Sequence, residues 1–162
     1  MGIRQIRELG DDILRKKCKP VTQMSLRTKL LINDMLDTMY EANGVGLAAP
    51  QAGVLKRLVV IDVGDGPIVM LNPEIIATEG EQTGYEGCLS VPGKMGNVTR
   101  PNVVTVRFQD ENMEWQEMTG TELLARAFCH EIDHLDGIVY VDKVEGDLVD
   151  STYEDDEEYE DE

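Results

Sequence analysis

Histidine is nearly absent from this chain: among 162 residues there are two, at positions 130 and 134. Any imidazole chemistry is therefore confined to one place. Cysteine is scarce and odd in number, with Cys18, Cys88 and Cys129 only. An odd count excludes a complete disulfide framework, and residues 1–7 are too mixed in polarity for a secretory leader, so a reducing, cytoplasmic setting is expected. No window reaches the ~18 consecutive apolar residues of a membrane span, and the Ile at position 6 excludes a myristoylation signal after Gly2. Basic residues are few, 15 Lys and Arg against 32 Asp and Glu, for a net charge of −17. That balance excludes a surface that wraps nucleic acid, which needs clustered cations, and no direct nucleic-acid binding is expected.

What remains is enough for one core: 41% of residues are hydrophobic, and the length suits a single domain. The acidity is uneven. Residues 151–162 hold eight acids and no base, and subtracting those eight leaves −9 for residues 1–150. Such a segment cannot bury apolar surface, so the chain divides into a folded unit, 1–148, and an acidic disordered tail, 149–162.

Periodicity predicts a helix over 25–43, capped by Ser25 and stopped by Gly44, with Leu26, Leu30, Leu31 or Ile32, Met35, Leu36, Met39 and Tyr40 as its core stripe. The run 58–63 reads as a strand buried on both faces. Residues 68–72 and 74–78 read as two strands split at Pro73, and 102–109 and 113–118 as an antiparallel pair. A second helix over 121–135, with Thr121 as N-cap and Gly137 as its stop, precedes a short strand over 138–141. Helices and strands are segregated rather than alternating, which makes the class α+β.

Three stretches carry chemistry. In His130-Glu131-Ile132-Asp133-His134 the histidines lie one helical turn apart and share a face, where two neutral imidazoles can hold one metal ion. Glu131 stands beside them, able to take a proton from a water. Flanking Leu123, Leu124, Ala127, Phe128 and Leu135 make this helix apolar, and a buried imidazole pair needs a partner. A catalytic metal needs a third protein ligand and an open position. No histidine follows, Glu145 and Asp147 sit on a turn with no recognisable spacing, and the better candidate is Cys88 within Glu86-Gly87-Cys88-Leu89-Ser90. Cys18 reads as a buried hydrophobe and Cys129, about 100° around the helix from His130, as pocket wall or core. Asp133 pairs with Arg100 either in support of the site or as an ordinary ion pair. The third stretch, Gly44-Val45-Gly46-Leu47-Ala48-Ala49-Pro50-Gln51, fits G-x-G-x-x-A but follows a helix and runs into proline, which is the wrong context for a dinucleotide. It reads as a small-residue loop that lets backbone approach a ligand, with Gln51 as a neutral donor.

Together and in this order, the three stretches resemble the signature motifs of the peptide deformylases, with no departure inside any of them. The resemblance implies antiparallel sheets wrapped around a central helix carrying His-Glu-x-x-His, and a type 1-like bacterial form. It implies hydrolytic removal of the N-terminal formyl group from formyl-methionine of newly made proteins, with release of formate. By it, Cys88, His130 and His134 bind one divalent metal, and Glu131, Gln51 and the Leu89 backbone N–H are catalytic. Val45, Gly46, Glu86, Gly87, Leu123, Ala127 and Cys129 contact substrate. Thiolate with imidazole suits zinc on chemical grounds, whereas the resemblance implies Fe2+ as the native ion, with Zn2+, Ni2+ or Co2+ able to substitute. The expected partners are formylmethionyl nascent peptides, and a monomer is expected. Members of that type often touch the ribosome through a C-terminal helix. Here residues 145–162 are acidic without a helical stripe, and RNA phosphate opposes that docking. The competing readings are a small His-Glu-x-x-His zinc endopeptidase, which needs a downstream ligand, and a closed structural zinc site.

Overall fold

The computed structural model describes residues 2–151. Two antiparallel sheets hold a helix between them, as the α+β class requires. The larger sheet has the order β1-β2-β3-β6-β7, formed by Gly46–Ala48, Leu58–Ile61, Ile68–Glu79, Val103–Gln109 and Trp115–Thr121. The smaller has the order β4-β5-β8, formed by Gln82–Cys88, Val91–Arg100 and Glu145–Asp150. Helix α1 spans Leu26–Glu41 and helix α2 spans Leu123–Leu135.

Strand β2 explains the layering. Its four residues are all buried, but they alternate in partner. Leu58 and Val60 join Leu31, Ile32, Met35 and Met39 of α1, while Val59 and Ile61 join Ala125, Phe128, Ile132 and Leu135 of α2. A period of two thus sends one strand's side chains into two cores. Each fully buried aliphatic contributes about 1.5–3 kcal/mol relative to exposure, so these two faces carry most of the packing energy. A third cluster, Leu14, Val98, Val139 and Tyr140, lies under the smaller sheet.

Helix α1 begins as expected, with Ser25 Oγ accepting from the Thr28 N–H at 3.1 Å. Its core stripe differs in part from the expected one: Leu26, Leu30 and Tyr40 are exposed, while Thr28 and Thr38 are buried. The expected Ile32, Met35 and Met39 are buried, and docking on β2 shifts only the edges of the stripe. Its stop also differs. Asn43 takes the left-handed conformation, φ 57°, and the Gly44 and Asn43 N–H groups donate to the Met39 and Tyr40 carbonyls. That is a Schellman closure with Asn at C′. Gly44 has another reason to lack a side chain, since a Cβ there would lie 2.6 Å from Leu89 Cδ1.

The two strands expected around Pro73 are one, β3. Asn72, at φ 52°, and Pro73 form a bulge where the pairing with β6 shifts between Leu71 and Glu74. Asn72 stabilises it by bonding both backbone groups of Val21 at 2.8 Å. Thr121 is not the N-cap of α2 but the last residue of β7. The helix follows abruptly through Glu122, at φ 54°, whose N–H donates to the Asn102 carbonyl. Gly137 does stop α2, in the left-handed conformation at φ 78°. The strand expected over 138–141 is instead a 3-10 turn, Tyr140–Asp142, that buries Tyr140. The turn expected at Gly146 opens strand β8, which pairs with β5 out to Asp150. Backbone pairing in β8 runs to Asp150, two residues past 148, although its side chains are all exposed. The remainder of the expected acidic tail, 152–162, lies outside the described residues. No helix among the described residues is long and apolar enough to cross a membrane.

Candidate metal centre

Cys88 is the last residue of β4, and the shift in pairing between Gly87 and Cys88 turns its side chain toward α2. There it meets the histidine face. The Cys88 Sγ lies 3.3 Å from His134 Nε2, and one ligand atom from each of Cys88, His130 and His134 falls within 4.8 Å of the other two. The imidazoles stand edge to face, with centroids 5.0 Å apart. Among the described residues the cluster holds these three groups and no fourth. Glu145 and Asp147, downstream of the histidines, are exposed on β8. Among the described residues, an endopeptidase-like ligand set and a closed zinc site both lack their last donor.

A soft sulfur and two ring nitrogens, converging from different elements, fit a zinc- or iron-like cation. His134 Nδ1 and Glu131 Oε1 are buried without a protein hydrogen-bond partner among the described residues. His130 is fixed by its other nitrogen: Nδ1 donates to Glu86 Oε2 at 2.6 Å, which assigns the tautomer and leaves Nε2 for an ion. Burial pulls both imidazoles down. His134 remains well below its ordinary value, which suits a neutral ligand, while Glu131, Cys88 and Glu86 reverse the effect at His130 and raise it.

Glu131 is buried beside His130, with Oε2 3.9 Å from His130 Nε2. Burial raises its carboxyl to about 7, against the opposing pull of His130 and Arg100. A group poised there can accept a proton and give it back near neutrality. Its carboxylate packs on Gly46, where a Cβ would sit 2.5 Å from Oε2. Gln51 is buried in the 3-10 turn Ala49–Ala52. Its Oε1 accepts from the Ala48 N–H at 2.9 Å, and its Nε2 donates to Ser90 Oγ at 3.0 Å and to Cys88 Sγ at 3.5 Å.

A cavity of ≈ 380 Å³ opens on these groups. Val45, Gly46, Gly87, Leu89, Leu123 and Ala127 line it, together with His130 and Glu131. Two of the expected substrate contacts, Cys129 and Glu86, sit differently from the rest. Cys129 is not at the cavity but in the apolar cluster with Val59 and Phe128, because it occupies the face of α2 turned to the larger sheet. Glu86 reaches the cavity wall, yet its carboxylate is 5% exposed and saturated. Besides His130, Arg100 donates to it from Nε and Nη2 at 3.1 and 2.7 Å, and Arg126 from Nη1 at 2.8 Å. Burial alone would raise this carboxyl, but His130 and Arg100 outweigh it and hold it well below the usual carboxylate range. Glu86 is a charged anchor for His130. Asp133 does pair with Arg100, accepting from Nη1 at 2.8 Å.

The sequence reading missed Ser90, which holds Gln51, and Arg126. Arg126 carried a signal. It precedes His130 by four, on the same helix face.

Residues 3–148 match the family model described as polypeptide deformylase. The peptide deformylase of Agathobacter rectalis is 65% identical over 158 residues, covering 98% of this chain and 100% of that one. That of Lachnoclostridium phytofermentans is 61% identical over 163 residues, covering 99% and 100%. Among solved structures, the peptide deformylase of Thermotoga maritima superposes with a TM-score of 0.88 at 39% identity, covering 90% of this chain and 100% of that chain. A peptide deformylase of Synechococcus elongatus in complex with actinonin gives a TM-score of 0.87 at 44% identity, covering 90% and 81%.

Proposed function

The chain belongs to the polypeptide deformylase family, metal-dependent hydrolases that release formate from the formyl-methionine end of nascent peptides, and we propose that Cys88, His130 and His134 hold its metal while Glu131 moves the proton. The convergence of Cys88 Sγ on the two imidazoles at the floor of a cavity, beside a buried carboxyl, carries this reading. A divalent cation in that position supplies a Lewis acid for the formyl oxygen and lowers the pKa of a water.

The protein's own groups do the rest. Glu131 takes a proton from the attacking water and returns it to the leaving amine, a role for which a carboxyl raised to about 7 is matched. Gln51 Nε2, held against Cys88, and the Leu89 backbone N–H meet the charge that develops on the formyl oxygen. Loss of one such donor typically costs about 3 kcal/mol of barrier. Val45, Leu123 and Ala127 form the apolar side of the cavity that receives the methionine side chain. Gly46 and Gly87 present backbone to a substrate lying extended like an added strand.

Fe2+ is the native ion in this proposal, with Zn2+, Ni2+ and Co2+ able to occupy the same donors, and the enzyme acts as a cytoplasmic monomer. The folded unit is the catalytic one. The acidic segment that follows β8 opposes docking to ribosomal RNA. Metal-loaded protein purified without oxygen is expected to release formate from formyl-Met-Ala-Ser and to leave unformylated peptides intact. Glu131→Ala should keep its metal and lose roughly 10²–10⁴-fold in kcat. Unchanged turnover in that variant rejects the proton-transfer assignment.

A further inference from the structure

Glu86 and Cys88 flank Gly87 on β4, and Arg126 and His130 stand one turn apart on α2. The structure ties these pairs together. Arg126 Nη1 donates to Glu86 Oε1 at 2.8 Å and to the Val98 carbonyl of β5 at 3.0 Å. His130 Nδ1 bonds the other oxygen of the same carboxylate at 2.6 Å. Arg100 supplies a second tie, from β5 through Asp133 to the next turn of α2.

Arg126 is 7% exposed. Burying a guanidinium is a poor route to stability, since desolvation offsets the attraction and a well-packed apolar side chain serves as well or better. Directional bonds to two strands are what an apolar side chain cannot give. We propose that Arg126 is a positioning residue for the metal: it fixes the register of β4 and β5 against α2, so that Glu86 orients His130 and Cys88 arrives at the ring nitrogens. The inference rests on the Cys88–His130–His134 assignment above.

Titration of the metal-free full-length protein with Co2+ tests it without recourse to activity. Affinity and the thiolate-to-cobalt charge-transfer band are read for the wild type, Arg126→Met and Arg126→Lys. Arg126→Met is expected to bind Co2+ roughly 10- to 100-fold more weakly, with a diminished thiolate band. Arg126→Lys, which keeps the charge but has a shorter reach and no fork, is expected to fall between. Wild-type affinity and band in Arg126→Met overturn the inference, whatever happens to its melting temperature. If Arg126→Met does not fold, Arg126→Lys decides alone, and wild-type behaviour there overturns it. A wild-type protein that binds Co2+ with no thiolate band overturns the Cys88 assignment instead.

Discussion

Gly46→Ala puts a single methyl group against the proposed proton carrier. The new Cβ would lie 2.5 Å from Glu131 Oε2 and 2.9 Å from both Cδ and Cγ. Gly46 cannot retreat easily, because β1 is paired with β2 through Gly46–Ile61 and buried along its length. Ordinary contact begins at 3.4 Å, so the carboxylate must withdraw by about 0.9 Å, the difference between 3.4 and 2.5 Å. A misplacement of ~1 Å costs on the order of 100-fold in rate, equivalent to about 2.7 kcal/mol of barrier. The assay is kcat/KM for formate release from formyl-Met-Ala-Ser, at matched metal content. The same substitution in a Glu131→Ala background should cost almost nothing further, because the atoms it strikes are gone. An unchanged kcat/KM in the single variant refutes the reasoning. So does a full loss in the Glu131→Ala background, which would place the effect on substrate backbone rather than on the carboxylate.

Glu86→Gln removes the buried anion that two arginines share, and urea unfolding should register a loss of about 3–5 kcal/mol. The folded-state pKa of Glu86 is depressed, so its contribution is present above the ordinary value of 4.5 and lost as pH falls toward the folded one. Acid unfolding of the wild type should therefore steepen below about 4.5, and Glu86→Gln should flatten that limb. Burial raises the thiols of Cys18 and Cys129 to about 11. Native metal-free protein treated with iodoacetamide near neutral pH should gain one label by mass spectrometry, at Cys88, and metal should suppress it. Labelling of Cys129 in the native state contradicts the packing of α2. Asn43→Ala should lower stability by roughly 1 kcal/mol through left-handed strain, while Asn43→Gly leaves it nearly unchanged.

Patterns that depend on one element were legible in the sequence. The His130–His134 face, the buried strand expected over 58–63 and found over 58–61, and the Ser25 cap are each dictated by local spacing. Features decided by neighbours were not legible. Where the buried stripe of α1 ends depends on β2, so Leu26 and Leu30 stand exposed while Ile32, Met35 and Met39 are buried as the period requires. Whether Pro73 ends a strand depends on Asn72 filling the bulge from across the chain. Strand β8 has no apolar stripe and is recruited by the edge of β5. In the site, motif order pointed to Cys88 and Gln51. The fate of Glu86 could not be read, because the two guanidinium groups that claim it come from 14 and 40 positions away.

The sulfur and the imidazole it approaches are 46 positions apart in the chain. They belong to a strand of one layer and a helix packed on the other, so an unfolded polypeptide offers an ion no preassembled grip. Occupancy is thereby linked to global folding: a cation at 1,000 times its dissociation constant adds about 4.1 kcal/mol to the native state alone. Chelation should consequently lower the unfolding midpoint of the whole domain, and loss of either sheet should release the ion.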